Sequence, residues 1–144
     1  MKDERLVSTR RKRPHQQLEV YRSAHSLALQ VHAVTLKLPK SELYEEGSQL
    51  RRSSKSVSAQ IVEGHALRQY KPEYQHYLAR AYASAEETIE HLEYLLETGS
   101  AKSVATECQS LIGQYDTLCR KLFNYQHAVL RRHDPQRTRM RTKA

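Results

Sequence analysis

A chain of 144 residues has room for one domain with a useful core, and its four glycines and four prolines are few for a many-stranded sheet. Tryptophan is absent and Phe123 is the only phenylalanine, so nine tyrosines carry nearly all the aromatic area, with hydroxyls that need the core margin or a partner. The net charge is +8, the first residues are charged, and no apolar stretch is long enough for a signal peptide or a membrane span.

The charge sits at the ends. Residues 1–13 carry +4, residues 131–144 carry +5, and residues 14–130 are left at −1. Basic arms on a nearly neutral body are what a polyanion-binding chain presents, although solvated ends that aid solubility have the same composition. The expected division is a basic flexible tail over 1–15, a four-helix body over 16–130 and a second basic flexible tail over 131–144.

In chain order, the first helix is expected from Gln16 to Leu38. Val20, Ala24, Leu27, Ala28, Val31, Val34, Thr35 and Leu38 recur at three- and four-residue steps, and Pro39 stops the helix. The second starts at Ser41-Glu42, with Glu42, Glu45 and Glu46 in its first turns, where the helix dipole favours carboxylates. It ends at Val62 or Gly64, Gly64 acting as the stop, and Gly47 marks an irregular start. Its apolar stripe is thin: Leu43, Leu50, Val57 and Ile61, with Ser53, Ser54 and Ala59 filling in. Small hydroxyl residues let helices approach closely and can bond back to the preceding turn.

The third helix opens at Lys71-Pro72-Glu73, with proline at the first helical positions. It keeps a seven-residue repeat (Tyr74, Leu78, Ala81, Ala85, Thr88, Leu92, Leu95) to Gly99. Ser100 is the expected cap of the fourth, which carries Val104, Cys108, Leu111, Tyr115, Leu118, Leu122, Tyr125 and Val129. Short connections between long helices make neighbours antiparallel, so the expected fold is all-α, an up-down-up-down four-helix bundle. Cys108 and Cys119 stand roughly 16 Å apart on one helix at ~1.5 Å per residue, beyond disulfide reach. They are expected as reduced core thiols in a cytoplasmic protein.

Chemistry-bearing patterns are sparse. A dinuclear carboxylate site needs two Glu-x-x-His pairs and two further glutamates; only Glu73 and His76 form such a pair, and Glu87 and His91 share a face at i,i+4. No metal, no cofactor and no enzymatic activity is expected, since Gly-x-Ser-x-Gly turns and phosphate-cradling glycine loops are also missing. Arg51, Arg52, Lys55 and Arg68 make the second helix basic, while Glu86, Glu87, Glu90, Glu93 and Glu97 make the third acidic. These charges either pair within or between subunits, or the basic group joins the tails in holding phosphates.

The second helix also carries a recognisable pattern. Gln49-Leu50-Arg51-Arg52, then Ser56-Val57-Ser58-Ala59-Gln60-Ile61-Val62-Glu63-Gly64, Arg68, and Ser84-Ala85-Glu86-Glu87 on the third helix resemble the bacterial four-helix bundle family associated with intervening sequences of large-subunit ribosomal RNA genes. The likeness spans residues 17–130 and leaves both tails outside. Gln60 stands where that family has Asn, and Val62 where it has Ala. Gln keeps the amide on a longer stem, and Val adds bulk at a close contact.

The family is in turn distantly similar in fold to the accessory protein of diversity-generating retroelements, a pentameric ring that works with a reverse transcriptase. The resemblance therefore implies a homo-pentamer. Tyr44, Tyr70, Tyr77, Tyr82 and Tyr94 fall off the main stripes, as interface tyrosines do. The expected function is a non-enzymatic nucleic-acid-binding or ribonucleoprotein accessory protein. Arg10, Arg11, Lys12, Arg13, Arg51, Arg52, Lys55, Arg68, Arg131, Arg132, Arg137, Arg139 and Arg141 would contact RNA or DNA phosphates without base specificity. The alternative is an oligomeric scaffold that docks a partner enzyme such as a reverse transcriptase.

Overall fold

The computed structural model describes residues 12–132, and those residues are helices and connections with no strand among them. A 3₁₀ turn at Pro14–Gln17 leads into α1 (Glu19–Thr35). A single helical turn, Lys40–Leu43, precedes α2 (Glu46–Ala66). Then follow α3 (Lys71–Glu97), a second 3₁₀ turn at Lys102–Val104, and α4 (Ala105–Arg132).

Five boundaries differ from the sequence reading, each for a local reason. The chain is extended at Leu18, which delays α1 to Glu19, and α1 ends at Thr35 with Leu36 as its cap, short of Leu38. At the next boundary, Glu45 leaves helical geometry (φ −102°, ψ −93°), so Ser41-Glu42 belongs to a separate turn and α2 begins only at Glu46. Gly64 does not stop α2; the helix runs on to Ala66 and Gly64 is buried within it. Ser100 does not cap α4. Its Oγ accepts from Thr98 Oγ1 at 3.0 Å, and the 3₁₀ turn intervenes. Gly99, by contrast, does terminate α3: its φ of +75° is a conformation that L side chains avoid.

The apolar stripes meet in a main core and a smaller cluster of Tyr74, Leu78 and Val129 between α3 and α4. Ala24, Val31, Val57, Ile61, Leu78, Ala81, Ala85, Leu95, Cys108, Tyr115 and Leu122 are completely enclosed. Ala59, expected to fill the α2 stripe, faces solvent. Serine and threonine take that inner space instead. Thr88 Oγ1 donates to Ser53 Oγ at 2.9 Å, and Ser56 and Ser84 share a hydrogen bond at 3.0 Å. Without bulky side chains there, α2 and α3 approach closely. A Cβ added at Gly64 would stand 2.9 Å from Tyr77 Cβ.

Antiparallel order shows in the pairs of residues that meet. On α2 and α3, Glu46 meets His91, Ser56 meets Ser84, and Gly64 meets Tyr77. Between α3 and α4, Tyr74 meets Tyr125, and Tyr82 lies against Phe123. Between α1 and α4, Glu19 meets Lys121. An up-down-up-down bundle requires this order. Both cysteines are buried and free.

Candidate nucleic-acid interface

Antiparallel packing has an electrostatic consequence. It gathers the start of α1, the end of α2, the start of α3 and the end of α4 at one end of the bundle. Lys12 and Arg13 approach that end, Arg68 lies in the α2–α3 connection, Lys71 opens α3, and exposed Arg131 and Arg132 finish α4. Tyr74 and Tyr125 hydrogen-bond through their hydroxyls, and Gln75 Nε2 donates to Gln126 O at 3.1 Å, so the last turns of α4 are tied to the first turns of α3. The opposite end holds Glu42, Glu46, Glu93, Glu97 and Glu107, which outnumber Lys37, Lys40 and Lys102 there.

Within the basic end, the segment before α1 and the last turns of α2 enclose a groove of roughly 790 Å³. Lys12, Arg13 and His15 line one side, and His65 and Arg68 the other; Val62 and Ala66 add apolar surface. The near segment is held by its own bonds. Arg13 N–H donates to Gln16 Oε1 at 2.8 Å, Arg22 donates to Gln17 O at 2.9 Å, and the His15 ring sits edge-on to Tyr21 at 4.7 Å. On the far side Arg68 donates to His65 O at 2.9 Å, and His65 sits edge-on to Tyr74 at 6.1 Å. Partial burial, and then the Arg13 charge, pull the His15 imidazole below its ordinary range.

The basic group of the second helix does not stay together. Arg68 is at the groove. Arg52 and Lys55 are exposed nearer the middle of α2, beyond the Ser56–Ser84 contact. Arg51 points inward, donating to Thr35 Oγ1 at 3.0 Å and to Leu43 O at 2.9 Å, which ties α1 and the Lys40–Leu43 turn to α2. Arg51→Met is therefore expected to lower folding stability by about 2 kcal/mol, the scale of a charged hydrogen bond. Urea denaturation checks it, and an unchanged midpoint would contradict this structural role. Arg10, Arg11, Arg137, Arg139 and Arg141 lie outside the described residues.

The residues of the family-like pattern mostly hold α2 against α3. Ser56 bonds Ser84, Ile61 is fully enclosed, and Gly64 lets Tyr77 approach, while Gln49, Arg52 and Glu63 remain exposed. Glu87 stands 3.5 Å from His91 Nε2, whose Nδ1 is 2.7 Å from Glu46 at the start of α2. The two substituted positions behave differently. Gln60 buries its Oε1 without a hydrogen-bond partner, and Val62, expected at a tight helix contact, lines the groove instead. His15 and His65 escaped the sequence reading, because a lone histidine carries no spacing signal and the two are fifty residues apart. Burial pushes the Cys119 thiol up to about 12, with Glu86 adding to the shift, and raises Cys108 as well, which leaves both cysteines poor nucleophiles.

Fold and site together define a helical-bundle protein with one basic, grooved end. The family model for the 23S rRNA-intervening sequence protein matches residues 16–124. The chain belongs to that family, and the match ends before the basic C-terminal residues. No curated protein matches the chain. Among the described residues no helix is long and apolar enough to cross a membrane.

Proposed function

We propose that the protein is a non-enzymatic, RNA-associated accessory protein that binds nucleic acid by its phosphates at the basic end of the bundle. One observation carries the reading: Lys12, Arg13, Arg68, Lys71, Arg131 and Arg132, dispersed over the chain, are assembled at a single end, where they outnumber Glu19, Glu63 and Glu73, while at the other end carboxylates outnumber Lys37, Lys40 and Lys102. The family's description supports RNA as the partner. Cationic side chains on phosphates release counterions, so affinity falls with salt in proportion to the contacts made. The test is binding of an RNA to the full-length protein across a salt series. A slope of log affinity against log salt steeper than about −3 is expected, from four or more contacts at ~0.7–0.9 each. A slope near zero overturns the reading.

Self-association is part of the proposal, with a pentamer as the assembly implied by resemblance. Tyr44, Tyr70 and Tyr94 are 72%, 51% and 47% exposed, which suits rings awaiting an interface. The solution mass, measured in the same samples, should be about 84 kDa, five times 16.8 kDa, and a mass near that of one chain overturns self-association.

The His15 shift adds a pH prediction. In the free protein its imidazole is held below the ordinary value, so it is mostly neutral at neutral pH. A phosphate bound beside the ring attracts its protonated form and so opposes both causes, burial first and Arg13 repulsion second; binding then takes up a proton and tightens as pH falls from about 8 to 6. Proton NMR titration of His15 with and without RNA checks it. An unshifted His15, or affinity that weakens on acidification, contradicts it.

A further inference from the structure

The groove is lined by imidazoles as well as cations, and the two kinds of side chain suit different parts of a nucleic acid. Resting on the phosphate-binding reading above, we infer that the groove takes a single-stranded segment, with His15 and His65 stacking on unpaired bases while Lys12, Arg13 and Arg68 hold the flanking phosphates. Three features favour this over a duplex. First, the site is a cleft of roughly 790 Å³ between a 3₁₀ turn and a helix end, the scale of a small-ligand pocket. A duplex keeps its bases stacked in its interior and offers such a cleft only its backbone. Second, each ring is positioned by a tyrosine set edge-on, His15 by Tyr21 at 74° and His65 by Tyr74 at 83°. Tyr74 is itself anchored, being 2% exposed and hydrogen-bonded to Tyr125. A ring held in place loses little freedom when a base stacks on it. Third, Val62 and Ala66 give the cleft an apolar lining, which suits a base face and offers a phosphate nothing. Stacking on aromatic rings tolerates any base, so the site would select strandedness over sequence.

The experiment uses full-length protein and a labelled oligouridine of about 12 nucleotides, within the ~4–16 nucleotide footprints of single-strand sites. The same strand annealed to oligoadenosine is the duplex probe, and anisotropy is read at one fixed salt concentration. The single strand is expected to bind at least about tenfold more tightly than the duplex, at about fivefold or more per stacked base. In the double variant His15→Ala/His65→Ala, single-strand affinity should fall at least about tenfold while duplex affinity changes less than about twofold. His15→Phe/His65→Phe should recover most of the loss, because phenylalanine stacks without a charge. Equal wild-type affinity for the two probes overturns the inference, as does an alanine variant that weakens both alike or a phenylalanine variant that rescues nothing. If neither probe binds even at low salt, the phosphate-binding reading fails with it. Should the variants misfold, shown by lost helicity, the wild-type comparison of the two probes decides.

Discussion

Replacing Gly64 with valine is expected to cost about 3 kcal/mol of folding stability, at the upper end of what overpacking a core costs. The Cβ would lie 2.9 Å from Tyr77 Cβ, 3.4 Å from a Tyr74 ring carbon and 3.5 Å from Tyr74 O. Tyr77 Cβ is fixed to its backbone and cannot swing aside, so α2 and α3 must separate. Separation would loosen the Ser56–Ser84 and Ser53–Thr88 contacts about two and three turns further along. Gly113, on exposed α4 surface, gives the opposite result. Nothing lies within 4 Å of an added Cβ there, so Gly113→Ala should stabilise by about 0.5–1 kcal/mol through helix propensity alone. Urea denaturation of both variants decides the matter. Equal effects at the two positions would mean that α2 and α3 are not in close contact at Gly64.

The second large effect is on binding. The triple variant Lys12→Gln/Arg13→Gln/Arg68→Gln should lose about 10- to 100-fold in RNA affinity near 0.1 M salt, and its salt slope should flatten by about 2 units, at ~0.7–0.9 per contact. Arg52→Gln/Lys55→Gln removes two exposed charges from the middle of α2 and should cost less than about threefold, set by long-range attraction that salt screens. Similar losses for the two variants would point to diffuse attraction to net charge, with no role for the groove. Because Arg68 also donates to His65 O, helicity and thermal midpoint are measured alongside.

The bundle was largely legible from the residues. The heptad positions of α3 from Tyr74 to Leu95 are all buried, as are those from Val104 to Leu122 and Val129 in the turn before α4 and in α4, while Tyr125 is half-buried with its hydroxyl on Tyr74. Boundaries were harder to read, because they turn on single dihedral angles. Glu45 and Leu18 break helical geometry without a proline or a glycine at either position. Gly64 shows how one residue supports two readings: a glycine near a helix end suggests a stop, yet here it makes room for a neighbouring helix. The basic residues of the second helix form one group along the sequence but not in space. Helical rotation sends Arg51 inward and leaves Arg52 and Lys55 outside, and the chain carries Arg68 to the far end.

Residue pattern was enough for the four helices, the buried stripes, the reduced and separated cysteines and the family-like stretch from Gln49 to Gly64, since each depends on spacing along one helix or a few turns of it. The basic groove is different. Lys12, His15, His65 and Arg68 become neighbours only when the start of α1 packs beside the end of α2, and no short-range pattern encodes that meeting. The charge polarity has the same origin. An antiparallel bundle brings alternate helix ends together, so basic residues from four separate places in the chain come to lie at one end.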